Sequence, residues 1–324
     1  MMDRRAELEQ FKRINLIEYA TSRSFTMDRR ASSKHSVVMR HSNGDKLIIG
    51  RDASGVYYYF NAKGSDSGTI IDLVSSLDGS NLGEIRKTLR AYDGTTAGQV
   101  TSSDQSFDVQ PASHDATGVL NAWMKMKPIT SNGHPYLTDF RSISAATQND
   151  PIFQNRIRVD SRRNAVFPHF GPGDTGICGF EIKNGNAAGS SFTGFSPGGL
   201  KALCCSRPRD TDHEAVICET AIDMLSVAEL EGTDNRRFFS TAGQISSNQA
   251  EYLRSAMNRM PSGSRVVIAT DNDDGGHALA AKIRDALRTV DIQIIQHHPE
   301  LPGDDWNDVL SQTRPSDPAE MRLG

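Results

Sequence analysis

Short apolar strands alternate with helical segments through the C-terminal third of this chain, and that alternation constrains the fold more than any other feature. Between residues 211 and 310 the order is EAVICE, AIDMLSVAEL, RRFFST, SSNQAEYLRSAM, RVVIAT, GHALAAKIRDAL and DIQIIQHH. Strands and helices that alternate through short connections predict a parallel sheet with helices on both faces, a Rossmann-like sandwich. Ligands of such sheets bind at the carboxyl ends of the strands. We therefore expect a functional site among the residues that follow each strand.

The N-terminal part predicts a smaller, β-rich unit over residues 1–95. Three runs, SVVMR, DKLIIGR and GVYYYFNA, are rich in β-branched and aromatic residues, and GTIIDLVSSL after them has a helical pattern. Residues 96–118 are polar and turn-rich, which predicts a linker. An α+β unit over residues 119–210 and the alternating unit over residues 211–324 complete the chain. The expected fold class is therefore α/β.

Composition favours a cytoplasmic protein with no membrane partner. No apolar run approaches the roughly 20 residues needed to cross a bilayer, and the first residues are charged, unlike a secretory signal. The four cysteines form no CxxC pair. Adjacent cysteines at 204 and 205 make a poor disulfide framework, so a reducing compartment is the simplest interpretation.

Charge is distributed unevenly, although the net formal charge is only −4. Residues 23–51 carry seven basic side chains against two acidic ones, a net charge of +5. Residues 211–324 carry 19 acids against 10 bases, a net charge of −9. This asymmetry favours a protein that holds a polyanion in one region and a metal ion in another. Ordinary variation of surface charge is the alternative.

Acidic residues follow three of the predicted parallel strands. Glu219 follows AVIC, Asp271 and Asp273 follow RVVIA, and residues 304–308 (DDWND) follow IQIIQ after a loop. Carboxylates brought together at one sheet edge repel one another unless a cation lies among them. Oxygen ligands of this kind suit Mg²⁺ or Mn²⁺. The alternative is that these acids are solvated loop residues or helix N-caps.

These residues resemble the Toprim domain, which bacterial primases, topoisomerases and several nucleases share. Residues 219–223 (ETAID) and 271–276 (DNDDGG) resemble its glutamate and DxD motifs, except that Thr220 stands where the family usually has glycine. Residues 304–308 resemble the KDxND stretch of primase-type members, without the lysine. The resemblance implies bound Mg²⁺ or Mn²⁺ and a set of metal ligands, namely Glu219, Asp223, Asp271, Asp273, Asp305 and Asp308. Glu219, Asp271 and Asp273 would be catalytic.

The resemblance extends upstream to about residue 119. Residues 164–168 (NAVFP) and 176–181 (GICGFE) resemble two strands that precede Toprim in bacterial primases, and residues 134–143 (HPYLTDFRSI) resemble the start of that unit. Lys201 occupies the place of a basic primase residue that can reach a phosphate, which makes it a further catalytic candidate; a surface lysine is the alternative. Together the segments resemble the primase-associated domain plus Toprim found in proteins of plasmids and other mobile elements.

Replicative primases carry an N-terminal zinc ribbon, and residues 14–90 have a similar strand content but no cysteine. His35 and His41 alone are too few for a closed structural zinc site. We therefore expect a zinc-ribbon-like unit without structural zinc; an unrelated β unit is the alternative.

Basic and aromatic residues of the N-terminal unit are the candidates for nucleic-acid binding. Residues 57–60 (YYYF) lie beside the basic strands, and alternate members of a strand face opposite sides of a sheet. One face can stack unpaired bases, whereas the alternative is that half of the run is core. The predicted contacts are Arg29, Arg30, Lys34, Arg40, Tyr57 and Tyr59.

The resemblance predicts a metal-dependent, primase-like nucleotidyltransferase. Its expected partners are single-stranded DNA, nucleotide triphosphates and a plasmid relaxase, helicase or other replication protein. Two alternatives stay open. The same acids can cleave phosphodiesters, as in a Toprim nuclease. The chain can also be a non-catalytic module that binds single-stranded DNA or docks beside a relaxase or helicase.

Overall fold

The computed structural model describes residues 4–52, 54–62, 66–92, 109–110, 114–171, 176–185 and 191–313. The chain divides into two compact units, Met1–Ser113 and His114–Gly324. Most of the predicted linker, residues 96–118, lies outside the described residues. The part that is described includes the start of a helix at Ala116.

The first unit is an antiparallel sheet covered on one face by helices. Its strands follow one another in space in the order β1 to β5. In chain order the elements are α1 (Arg4–Phe11), α2 (Leu16–Ser22), β1 (Thr26–Met27), β2 (Val37–Arg40), β3 (Lys46–Arg51), β4 (Tyr57–Asn61), β5 (Ser67–Gly68), α3 (Ile70–Asp78) and α4 (Leu82–Ala91).

Alternation along the strands decides which side chains of this sheet form its core. In β4 the pattern is strict, with Tyr57, Tyr59 and Asn61 buried and Tyr58 and Phe60 exposed. The buried tyrosines join a core that also contains apolar residues of α2, α3 and α4. The register of β4 therefore determines which of its side chains face the helices and which face outward.

Within its described residues, the second unit is built on one mixed sheet of ten strands. Its first part contains α5 (Ala116–Lys125), β6 (Lys127–Pro128), α6 (Pro135–Asp139), α7 (Ala145–Gln148), β7 (Arg158–Val159), β8 (Ala165–Phe170), β9 (Ile177–Gly185), β10 (Ser191–Phe195) and β11 (Leu203–Cys205). The main path of the sheet runs β10-β9-β8-β11-β13-β12-β14-β15, and β7 joins β6 to β8. Strands from both sides of the predicted boundary at residue 210 thus share one sheet.

The second part of this unit alternates as the sequence predicts. Its elements are β12 (Glu214–Cys218), α8 (Ala221–Glu231), β13 (Arg236–Ser240), α9 (Ser247–Met257), β14 (Arg265–Ala269), α10 (Asp274–Leu287), β15 (Gln293–His297) and α11 (Trp306–Thr313). β12 pairs in parallel with β13 and β14, and β14 with β15. One core contains residues of α8 and α11, and another contains residues of α9 and α10. The Rossmann-like sandwich and the α/β class are confirmed.

None of the described helices is both long and apolar enough to cross a membrane.

Candidate functional site

The register of the parallel strands brings the predicted acidic residues to one edge of the sheet. Cys218 pairs with Ser240 on one side and with Ala269 on the other. Glu219 comes one residue after Cys218, and Asp271 comes two residues after Ala269. The chain then turns into a helix in both places, so both side chains lie at the carboxyl edge, where such sheets bind ligands.

Asp271 is the most strongly perturbed acid of this edge. Burial raises its pKa well above the ordinary value, and the neighbouring charges of Asp223, Glu219, Asp305 and Asp273 raise it further. Its Oδ1 atom is buried and has no hydrogen-bond partner among the described residues. A buried carboxylate oxygen without a donor is costly unless a proton or a cation compensates it.

Glu219 has neighbours of both charges. Burial is the main cause that raises its pKa, and the charge of Asp273 raises it further. The charges of Lys201 and Lys183 lower it. Lys201 is half-buried, and this burial lowers its pKa, while Glu181 and Glu219 raise it. Its Nζ donates a hydrogen bond to the carbonyl oxygen of Gln244 over 3.1 Å. The predicted lysine is therefore near enough to the predicted glutamate for their charges to interact.

The other acids spend part of their hydrogen-bonding capacity on helix N-termini. Asp223 accepts from the backbone N–H and the hydroxyl of Thr220 in a capping box. Asp273 Oδ1 accepts from the Gly276 N–H over 2.6 Å. Asp305 and Asp308 accept from each other's backbone N–H at the start of α11. These four acids therefore act at helix N-termini, as the capping alternative expects.

Asp308 differs from the rest of this set. Like Asp273 it is exposed, but it is not among the charges that raise the pKa of Asp271 or Glu219. Its charge raises the pKa of Asp305 instead. The structure therefore gathers Glu219, Asp223, Asp271, Asp273 and Asp305, and it leaves Asp308 at the periphery.

Thr220 replaces the family's glycine without backbone strain. Its φ is −121° and its ψ is 167°, an extended conformation that any residue adopts. Its hydroxyl also caps α8 by accepting from the Asp223 N–H. By contrast, Gly276 has no room for a side chain, because a Cβ there would lie 2.2 Å from the Asp271 carbonyl oxygen. This close contact holds the first turn of α10 against the Asp271 backbone.

Gln244 is a residue of this edge that the sequence did not indicate. Its side-chain Nε2 donates to the carbonyl oxygen of Gly275 over 2.9 Å, and its Oε1 accepts from Lys282 over 2.9 Å. With its carbonyl bound by Lys201, it links the loop after β13 to the start of α10. Glutamine in a polar loop carries no sequence signal for such a role.

The donor set fits a divalent cation by its chemistry. Five carboxylates interact with one another, and the buried Asp271 Oδ1 lacks a partner. Within the described residues, however, no group of three or more His, Cys, Asp or Glu side chains is close enough to enclose a metal ion. A cation would therefore require the side chains to close around it.

The basic candidates of the N-terminal unit are on its surface. Arg29, Arg30, Lys34 and Arg40 are all exposed, and Arg40 pairs with Asp28 over 2.8 Å. His35 and His41 are engaged separately, His35 with the carbonyl oxygen of Gln110 and His41 against the Phe25 ring. The absence of structural zinc stays a prediction.

The aromatic candidates need a correction. Tyr57 and Tyr59 are only 4% and 2% exposed, whereas Tyr58 and Phe60 are 44% and 53% exposed. The sequence pattern could not choose between the two sets, because Tyr57 and Tyr59 have the same side chain as the exposed Tyr58. Any stacking face on β4 must therefore consist of Tyr58 and Phe60.

Comparisons with known families match this second unit. Residues 216–310 match the family described as Toprim-like, and residues 135–212 match a protein of unknown function (DUF3991). The chain therefore carries a Toprim-like domain preceded by a domain of unknown function, the arrangement that the resemblance predicted. The comparison with curated proteins found no match.

Solved structures of primases are distantly similar. The Aquifex aeolicus primase (zinc-binding and RNA polymerase domains) is 13% identical, with 97% of this chain and 83% of that chain covered and a TM-score of 0.39. The RNA polymerase domain of Mycobacterium tuberculosis primase DnaG in complex with double-stranded DNA is 16% identical, with 54% and 68% covered and a TM-score of 0.33. Similarity at this level does not bear on function.

Proposed function

We propose that this protein is a metal-dependent, primase-like nucleotidyltransferase that acts on single-stranded DNA. The observation that carries the proposal is the acidic edge of the Toprim-like domain, where Asp271 has a buried oxygen without a partner and the charges of Lys201 and Glu219 interact. Such an edge combines ligands for a divalent cation with a cation for a phosphate group.

The roles divide between the acids and the lysine. Glu219, Asp271 and Asp273 would hold Mg²⁺ or Mn²⁺, which when bound neutralises charge on phosphate oxygens. Asp223 and Asp305 would add negative charge near Asp271, while part of their hydrogen-bonding capacity is used at helix N-termini. Lys201 is oriented by the Gln244 carbonyl, so its remaining N–H groups can bind a phosphate of the incoming nucleotide.

The outward face of the N-terminal sheet is the proposed contact for template bases. Tyr58 pairs with Gly50 across the sheet, and a Cβ at Gly50 would lie 2.5 Å from the Tyr58 ring, so the hydroxyl end of the ring lies over the glycine. Phe60 pairs with Ile48 on the same face, and Arg40 pairs with Lys46 at its end. Two exposed rings with basic neighbours suit unpaired bases and their phosphates.

Primer synthesis is the direct test of this function. The full chain is incubated with a bare single-stranded DNA template, labelled ribonucleotides and Mg²⁺ or Mn²⁺, and labelled products are resolved by length. We expect products that require the divalent ion and disappear in the Asp271→Asn variant. Metal-dependent shortening of a labelled template without synthesis would instead favour a nuclease. Tight template binding with neither reaction would favour the docking module.

The proposal includes replication or transfer of a plasmid or other mobile element, with a relaxase or helicase as partner. This part is supported by the sequence resemblance alone. A co-purification of the chain with such a partner from the same element is the measurement that tests it.

A further inference from the structure

Four arginine side chains gather on the second unit, away from the acidic edge. We call them the Arg156 cluster: Arg156, Arg207, Arg237 and Arg259. Cys205 on β11 pairs with Phe239 on β13, two residues after Arg237, and α9, which ends two residues before Arg259, packs against β11. Burial raises the pKa of the Cys205 thiol, and the guanidiniums of Arg156, Arg237 and Arg259 all act in the opposite direction. Arg207 lies two residues after Cys205, and its positive charge lowers the pKa of Arg156. Segments far apart in sequence thus place their cations around one point of the sheet.

The carboxylates nearby do not neutralise this cluster. Asp212 is buried and binds Arg237 over 3.1 Å, but it also binds Arg209 over 3.0 Å, so one acid serves two arginines. Arg156, Arg207 and Arg259 form no ion pair with any residue that the structure describes. The result is an excess of positive charge in a chain whose second half is acidic.

Arg156 is the least compensated member. Its guanidinium carbon lies 4.3 Å from the centroid of the Phe170 ring, and its Nε is buried without a hydrogen-bond partner among the described residues. Stacking on an aromatic face recovers part of the cost of taking the cation out of water. An anion would recover more, since the planar guanidinium matches the oxygens of a phosphate.

The position of the cluster relates it to the acidic edge. Arg237 in β13 pairs with Ala215 in β12, which lies four residues before Glu219. At roughly 3.3 Å per residue the separation along the strand is about 13 Å. A nucleic-acid strand that reaches the acidic edge would still carry phosphates at this distance.

We propose that the Arg156 cluster binds the phosphate backbone of a single nucleic-acid strand that extends from the acidic edge. The direction of that strand rests on the proposed function, whereas the phosphate contact itself does not. Arg207 and Arg259 are exposed and can make the first contacts. Arg156 stacks on Phe170, and this contact holds its guanidinium in place.

Strand affinity measured without catalysis tests this proposal. The full chain is titrated into a fluorescein-labelled single-stranded oligonucleotide in EDTA, and anisotropy is followed over a series of salt concentrations. The variants are Arg259→Gln, Arg156→Gln and the double substitution. Arg288→Gln is the matched control, an exposed arginine of the same unit whose partner is Asp285.

We expect the double variant to bind on the order of tenfold more weakly at 0.1 M salt, and its salt slope to fall by about 1.4, at about 0.7 per lost phosphate contact on a single strand. Arg259→Gln alone should show about half of the slope change; because Arg259 is exposed, this variant keeps the test valid if Arg156→Gln fails to fold. Affinities and slopes equal to those of Arg288→Gln would overturn the proposal.

A second titration identifies the source of the phosphate. If the variants lose affinity for a fluorescent ATP analogue but keep that for the oligonucleotide, the cluster binds free nucleotides and the proposal is overturned. Loss of strand affinity in a protein that makes no primers would overturn the proposed function and leave this contact standing.

Discussion

The two sheets of this protein use opposite geometries to present functional groups. In the N-terminal unit the antiparallel strands present alternate side chains on one broad face, so Tyr58 and Phe60 are exposed while Tyr57 and Tyr59 are buried. In the Toprim-like domain the central strands β12 and β14 are buried on both faces, and the acidic candidates follow the ends of the strands. A face can bind an extended strand of bases, whereas an edge concentrates charge at one point. The predictions below test this division.

The largest effect is expected at the acidic edge. Asp271→Asn should reduce primer synthesis on the order of 10³-fold, because a divalent ion contributes several kcal/mol to stabilising the charge of the reacting phosphate. Oligonucleotide affinity should be kept or slightly increased, since a negative charge is removed. Asp274→Asn, an exposed acid three residues along, is the matched control. Equal loss in both variants would mean that the Asp271 carboxylate has no particular role.

The next effect separates the two faces of β4. Tyr59→Ala should lower the free energy of unfolding by about 3–5 kcal/mol, because it empties a fully buried site and leaves Asp66 without the Tyr59 hydroxyl. Tyr58→Ala and Phe60→Ala should each leave the melting temperature nearly unchanged and weaken single-stranded DNA binding by about 1–3 kcal/mol.

Anisotropy and thermal melting of the same samples check both halves of this prediction. If Tyr58→Ala and Phe60→Ala bind as tightly as the parent chain, the outward face is not a stacking surface.

A smaller effect concerns pH and metal. The pKa of Asp271 is raised in the folded protein, so the folded state binds this proton more tightly than the unfolded chain does. The resulting stability is fully present below about pH 4, the ordinary Asp range, and is lost as pH rises through the raised value. In EDTA the melting temperature should therefore fall by a few degrees more with rising pH than it does in Asp271→Asn.

Addition of Mn²⁺ or Mg²⁺ at pH 8 should reverse that fall in the parent chain and have little effect on Asp271→Asn, because ligand binding stabilises the folded state. Identical pH profiles for the two proteins would mean that Asp271 neither binds the stabilising proton nor takes part in metal binding.

The smallest effect is expected at Thr220. Thr220→Ala should cost about 1 kcal/mol of stability through the lost cap, whereas Thr220→Gly, which restores the family's residue, should cost only a few tenths. Primer synthesis should survive both changes, since Thr220 has an extended backbone that needs no glycine. Chemical denaturation and the synthesis assay measure these effects. A large gain of activity in Thr220→Gly would show that the hydroxyl obstructs the site.

The sequence by itself determined the elements and the edge. Strand and helix periodicity is local, so the β12 to α11 alternation could be predicted without coordinates, and with it the carboxyl edge where Glu219 and Asp271 lie. The Toprim-like motifs were equally local. The sequence could not show which of these acids interact with one another. Asp308 has the same spacing signal as Asp305, but it is exposed and its charge does not act on the pKa of Asp271.

Only the tertiary structure decided what depends on register and on distant segments. Period-two alternation predicts that half of the YYYF run is buried, but the half is chosen by the helices that cover the other side of the sheet. Gln244 and the Arg156 cluster had no local signal at all. The arginines come from four separate segments, between residues 156 and 259. The pairing of β11 with β8 and β13 and the packing of α9 against β11 bring these segments to one place. A count of charges along the sequence does not show such a cluster, because the local electrostatic field depends on which charges are close in space.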